Sequence, residues 1–356
     1  MKMWESAIAG KELSVDAIVA AVAALQPYML DTLQRLVRAP SQSGDEWAAT
    51  RQMEEIMAEL GLAVNRIPLD TDALCQHGLY SPRCHPDAGR YNLLSIFEGA
   101  SGPDEDVRSV LFNGHLDVVP TGPEGLWTDG PYNPVVKDGW MYGRGSGDMK
   151  AGIVCTLVAL KALRHLGYQP KGRVGFNWVL EEECTGNGAL ASALAIQKGS
   201  SDGRSTKFDG VIIPEPLGDG LVCAQVGVFW MNIELTGRPA HAAMMASGVN
   251  PINAAIEIMA DLRILEQEWN RPENRHPAFH EHDHPINFNL GRMAGGEWNS
   301  SVPCTCSMGV RIGVFPGVDI DEAKKVVSER ITETVERIGK GLKATISYEG
   351  FQLPGV

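Results

Sequence analysis

No stretch of this 356-residue chain approaches the roughly 20 consecutive apolar residues that cross a bilayer, although 44% of its residues are apolar. Basic residues are in short supply: 31 Lys and Arg stand against 44 Asp and Glu, a formal net charge of −13. That balance argues against nucleic acid or an anionic membrane as the main partner, because both attract Lys and Arg. Cysteines are few, scattered and odd in number, seven in all, which is no disulfide framework and fits a reduced, cytoplasmic setting. There is no C-x-x-C pair. Cys304 and Cys306 form C-x-C with no second pair nearby, and read as alternate positions on a strand rather than metal ligands. The glycine-rich "GRGSGD" at residues 143–148 matches neither phosphate-binding pattern, G-x-x-x-x-G-K-[ST] or G-x-G-x-x-G. Internal repeats and low-complexity linkers are also absent. The apolar "AIVAAVAAL" is preceded by Glu5, Glu12 and Asp16 rather than by basic residues, so it reads as a surface helix and not a signal peptide.

What is present is an alternation of patterns. "IVAAVAALQPYMLDTLQRLVRA", "DEWAATRQMEEIMAELG" and "AGIVCTLVALKALRHLG" have helical periodicity, while "YNLLSIFEG", "SVLFNGHLDVV", "GRVGFNWVLEEE" and "FDGVIIPEP" read as strands. Strands separated by helices predict an α/β domain with a mostly parallel sheet flanked by helices. From about residue 223 the order changes to β-α-β-β-α-β, from "CAQVGVFWMNIELTG" to "KATISYEG". That order describes an inserted ferredoxin-like α+β domain. The expected boundaries are residues 1–222 for a catalytic, metal-binding domain and 223–349 for a lid and dimerisation domain. Residues 350–356 are expected to begin a return to the first.

Four positions carry chemistry. His115, the cluster Glu181-Glu182-Glu183 and Glu215 each follow an apolar strand, and Asp148 closes the glycine-rich junction before a helix. Ends of parallel strands are where sites gather. An imidazole and several carboxylates converging there would repel one another unless a cation neutralised them. The donor mix suits zinc first, with manganese or cobalt as alternatives. Each element alone has a plainer reading: a structural histidine, a flexible loop, a solvated acidic run, a proline turn. Their occurrence at successive strand ends favours the metal. Residues two apart on a strand face the same way, so Asp117 is expected to accept the ring N–H of His115 and fix its tautomer.

The chain resembles the dinuclear-zinc family of aminoacylase, acetylornithine deacetylase, succinyl-diaminopimelate desuccinylase and the glutamate-releasing carboxypeptidases. The segments that carry the resemblance are "GHLDVVP", Trp127, "GPYNPVVKDGWMYGRGSGDMKAG", "EEECTGNGAL", "PEP", "GRPAHAAM", "GVNP", "GGEWNSSVP" and "VRIGVFPG", in family order across most of the chain. The resemblance implies two divalent metals, His115 and Glu215 on one, Glu183 on the other, and Asp148 bridging both. It makes Glu182 the general base, with Asp117 beside it in the catalytic set, and puts Glu181 where the family has aspartate. It implies a cis peptide at Asp148–Met149, and a His241 that polarises the scissile carbonyl in a partner subunit of a homodimer formed through residues 223–349. Asn299 and Arg311 resemble substrate-binding groups, Arg311 suited to a free carboxylate. The implied activity is hydrolysis of the amide bond in a small N-acyl amino acid or related compound.

One feature departs from the pattern. Family members carry a further metal-binding histidine near the C-terminus, and no matching segment follows "SYEGFQLPGV". A continuation supplying that histidine is expected, and without it a weakly bound second metal. His276, His280, His282 and His284 in "RHPAFHEHDHPINF" read as a loop near the pocket or dimer interface rather than as its substitutes. Two other functions remain open: a dinuclear C–N hydrolase that releases ammonia from an unusual substrate, and a dimeric binding protein with impaired turnover.

Overall fold

The computed structural model describes residues 13–100, 107–199, 207–218 and 220–356. Glu5 and Glu12 lie outside the described residues. The chain divides into two compact units, Met1–Tyr80 with His85–Asp219, and Ser81–Cys84 with Gly220–Val356.

In the first unit, runs rich in aromatic and branched residues make the strands β1 (Asn65–Pro68), β2 (Tyr91–Phe97), β3 (Val110–His115), β4 (Val174–Val179) and β5 (Gly210–Ile212). The sheet order is β1-β2-β4-β3-β5. β4, β3 and β5 pair in parallel, and β2 alone runs against the others. Helices α1 (Val15–Ala24), α2 (Gln26–Arg38), α3 (Trp47–Glu59), α4 (Lys150–His165) and α5 (Asn187–Lys198) accompany it. The core joins Leu36, Met53, Ile56, Leu93, Leu157, Phe176 and Trp178. Val15 and Val19 of α1 are exposed, in keeping with a surface helix. No described helix is long and apolar enough to cross a membrane.

The single helix expected over residues 18–39 is two. It breaks at Leu25, because Pro27 sits in the first turn of α2; proline has no N–H to continue a helix but is well suited to starting one.

Two close approaches at glycine fix the site region. A Cβ on Gly114 would come within 2.9 Å of Ile153, so α4 can lie hard against β3. A Cβ on Gly152 would meet the Pro214 carbonyl at 2.1 Å, so the start of α4 abuts the segment after β5. Asp148, just before α4, is thereby brought to the ends of β3 and β5.

In the second unit, β6 (Gly227–Thr236), α6 (Pro251–Trp269), β7 (Phe288–Gly295), β8 (Thr305–Val314), α7 (Ile320–Ile338) and β9 (Lys343–Leu353) follow the β-α-β-β-α-β order. The sheet order is β7-β8-β6-β9 with every pair antiparallel. Phe229, Met231, Ile233 and Leu235 alternate into the core with Ile258, Leu262, Val310 and Val327, the period-two pattern of a sheet covered on one face. Asn250 and Asp319 cap α6 and α7 by accepting from the first free amides.

Residues 350–356 stay with this unit, contrary to the expected return. Gln352 and Leu353 pair with Phe229 and Val228, Pro316 bridges Gly355, and Gln225 and Val356 exchange backbone hydrogen bonds. The Cys pair also differs from expectation. Cys306 is buried within β8, but Cys304 is exposed and precedes the strand.

Candidate metal centre

β3 and β4 end level, His115 opposite Val179 in parallel register. The chain leaving β4 supplies Glu181–Glu183, and the chain leaving β5 supplies Glu215. The Asp148–Met149 peptide is cis. Lys150 opens α4, fully buried, and its ammonium donates to the carbonyls of Leu36 and Ala39 at 2.8 and 3.1 Å. This ties the start of α4 to the end of α2. Burial pushes the Lys150 pKa down to about 7, with Asp117 opposing.

His115 Nε2 is 3.0 Å from Asp148 Oδ1, 3.6 Å from Glu215 Oε1 and 3.8 Å from Glu182 Oε2. Ligand atoms of two overlapping trios, His115–Glu182–Glu215 and His115–Asp148–Glu183, lie within 4.8 Å of one another in each trio. Asp148 belongs to one trio, and its Oδ1 contacts His115, which is common to both. The structure therefore gathers His115, Asp117, Asp148, Glu182, Glu183 and Glu215 in one place.

Asp117 does its work differently from expectation. His115 Nδ1 donates to the Asp117 backbone carbonyl at 2.8 Å, and the Asp117 carboxylate is 3.6 Å from the ring. The Nδ1 proton is still settled, because a carbonyl only accepts, which leaves Nε2 as the ring atom that faces the acids, protonated in the metal-free site and free to bind metal once that proton leaves. The carboxylate instead accepts from the amides of Glu182 and Glu183, both at 3.2 Å, and from the Ser43 hydroxyl at 3.1 Å. It holds the acidic loop rather than the imidazole.

The charges are unbalanced. Burial opposes protonation of His115, yet Asp148, Asp117, Glu182 and Glu215 outweigh it and push its pKa up to about 10. Burial, reinforced by neighbouring acids and opposed by His115, pushes Glu183 and Glu215 up to about 7 and raises Glu182. The His115 hydrogen bond holds Asp148 below the usual carboxylate range. One imidazole cannot neutralise five carboxylates at this spacing. The donor set, one nitrogen and several carboxylate oxygens, fits a borderline-hard divalent metal.

Glu181 does not join the acids. Its side chain turns into the interior, where Arg90 Nη1 donates to it at 2.5 Å and Thr185 Oγ1 at 2.7 Å. Arg90, Glu46 and Ser43 were not singled out in the sequence. The contacts that join them to one another and to the site span 44 to 91 residues, and no local pattern marks them.

His241, Asn299 and Arg311 belong to the second unit. His241 is exposed, pairs opposite Ser301, and its Nδ1 accepts from the Ala243 amide at 3.1 Å. Asn299 is in an exposed turn after β7. Arg311 is exposed on β8, between Asn289 and Trp230 of its neighbours. Among the loop histidines, His276 accepts from Ala278 N–H, and His284 contacts Glu266 at 3.0 Å. His280 and His282 are exposed.

Comparison with known proteins bears on the same residues. Among curated proteins, the succinyl-diaminopimelate desuccinylase of Polynucleobacter necessarius subsp. necessarius (strain STIR1) is 30% identical over 219 residues, 60% of this chain and 53% of that one. The chain thus spans about half the length of the curated relatives it matches. Human carnosine dipeptidase 1 superposes with a TM-score of 0.68 at 17% identity, over 97% of this chain and 81% of that one. A dinuclear metal binding peptidase of Bacillus subtilis, YXEP, does so with a TM-score of 0.52 at 17% identity, over 94% and 76%. These last two establish likeness of fold. The model of peptidase family M20/M25/M40 matches residues 111–347, a span running from β3 into the first half of β9 and holding His115, Asp148, Glu182, Glu183 and Glu215, and the chain belongs to that family.

Proposed function

We propose that this chain is a dinuclear metallohydrolase, zinc in first place with manganese or cobalt as alternatives, that cleaves the amide bond of a small N-acyl amino acid. The observation that carries the reading is the pair of overlapping trios sharing His115, with Asp148 in one of them and in contact with the shared imidazole. His115 and Glu215 would hold one ion, Glu183 the other, and Asp148 both. When bound, such ions lower the pKa of a water and polarise a carbonyl. Glu182, its basicity raised by burial, takes the proton of the attacking water and returns it to the leaving amine. Asp117 keeps Glu182 and Glu183 in place through their amides. The products are a carboxylic acid and an amine. The named relatives, the desuccinylases, support the N-acyl amino acid class.

His241 polarises the substrate carbonyl from a partner subunit, in a homodimer formed through residues 223–349. Asn299 and Arg311 bind the substrate, Arg311 its free carboxylate. The odd number and scattered positions of the seven cysteines support a reducing cytoplasmic setting, which cell fractionation would check.

Substrate class is tested with N-succinyl, N-acetyl and other N-acyl amino acids beside their amides, with zinc or manganese added. A charge-assisted fork contributes roughly 1.5–3 kcal/mol. Arg311→Ala should therefore lower kcat/KM about ten- to a hundredfold for free carboxylates and much less for the amides. Equal losses would make Arg311 structural, and ammonia without a carboxylic acid would replace deacylation by another C–N hydrolysis.

Metal uptake should depend on pH. Ligands must be deprotonated to bind, and in the metal-free site Glu183 and Glu215 titrate near about 7 and His115 near about 10. At the low end all three carry protons that the metal must displace. Affinity should rise by more than about tenfold per unit between about pH 6 and 8, with proton release measurable by calorimetry in buffers of different ionisation heat. A flat affinity over that range would show that these groups are not the ligands.

A further inference from the structure

Behind the acidic loop lies a buried ion cluster that the proposed chemistry does not use. Arg90 sits immediately before β2 and is almost wholly buried with Glu46, Asp87 and Glu181. Its guanidinium divides its donors. Nε and Nη2 bind both carboxylate oxygens of Glu46, at 3.0 and 2.6 Å, while Nη1 binds Glu181 and is 3.5 Å from Asp87. Glu46 is the N-cap residue of α3 and also accepts from the Gly44 amide at 2.7 Å. One planar group thus joins the loop before α3 to the loop after β4.

Glu181 is where this matters. Its φ is +63°, in the left-handed region that non-glycine residues occupy only when surrounding structure holds them. The turn there reverses the chain sharply, with the amides of Thr185 and Gly186 both donating to the Glu181 carbonyl. The residues that follow are Glu182 and Glu183. Asn92, two residues beyond Arg90, accepts the Leu180 amide at 3.0 Å. The acidic loop is therefore gripped at its entry by residues 90 and 92, and at its far side by Asp117.

We propose that Arg90 is a positioning residue for the metal centre: its fork, shared between Glu46 and Glu181, sets the backbone from which Glu182 and Glu183 project. The inference rests on the metallohydrolase reading above. A lysine would keep the charge but is a point donor that cannot serve two carboxylates along fixed directions, so Arg90→Lys removes the fork with least loss of charge balance.

The test is stepwise zinc titration by calorimetry of parent and Arg90→Lys, with hydrogen exchange of residues 180–186 in the metal-free proteins. In the folded variant, the ion that depends on Glu183 should bind at least about tenfold more weakly. The ion on His115 and Glu215, whose ligands leave β3 and β5, should change by less than about threefold. Exchange of the 180–186 amides should rise while the rest of the core keeps its protection. If both ions weaken together with global protection, Arg90 serves stability alone and the proposal falls. It also falls if neither affinity nor local exchange changes. Should Arg90→Lys not fold, Glu46→Gln makes the same comparison with one carboxylate oxygen of the clamp replaced. The exchange measurement needs no metal. A parent that binds none would overturn the metallohydrolase reading, and exchange would still decide whether Arg90 holds the loop.

Discussion

Glu182→Gln protein should take up metal as the parent does and lose about 10²–10⁴-fold in kcat, the usual contribution of a positioned general base. An amide keeps the shape of the side chain but cannot accept the water's proton. The geometry makes this a sharp test, because Glu182 also stands in a trio with His115 and Glu215 that could itself hold an ion. Two features favour the base. Its basicity is raised by burial and by Asp117 and Asp148, against the pull of His115. It also sits farther from the imidazole than Asp148 or Glu215 does, at 3.8 Å. Loss of metal together with turnover in Glu182→Gln would make it a ligand. Near-parent turnover would move the base to another residue.

The residues gathered at the centre were legible because their signals are local. His115 and Glu215 follow apolar strands, Asp148 follows a glycine-rich turn, and the acidic triplet follows another strand. Once three strands pair in parallel, their ends must meet. The details that escaped depend on where regular structure stops. The alternation rule pointed the Asp117 carboxylate at His115, but β3 ends at His115 itself. Past the strand end the backbone turns, so the carbonyl takes that bond and the carboxylate reaches the acidic loop. The helix over residues 18–39 kept its apolar period through a proline that starts a new helix. The last residues were assigned to the first domain by resemblance, while β9 continues to Leu353 across a register shift between Tyr348 and Gln352. The Arg90 clamp had no local signal at all: its partners Glu46 and Glu181 are 44 and 91 residues away, and only the folded sheet brings them together.

Asp148→Ala should remove metal and activity together. Asp148 is the carboxylate that contacts His115, the member common to both trios, at 3.0 Å, while belonging to the trio with Glu183. Its loss therefore weakens both ions at once. Disturbing even the residues that support a ligand typically costs 10- to 100-fold in affinity, so deleting a shared ligand should cost at least about a hundredfold for each ion. Calorimetry and metal content after dialysis would read this directly. An Asp148→Ala protein that keeps two tight ions would refute the bridge. The same variant also tests the proposed role of His241. Asp148→Ala and His241→Ala homodimers should each be inactive, for different reasons. A mixed dimer pairs an intact metal centre on one subunit with an intact His241 on the other, which makes one complete site of two. Random mixing yields half mixed dimers, so co-refolded protein should recover up to about a quarter of parent activity. Mixed dimers that form, bind metal and stay silent would show that His241 does not act across subunits.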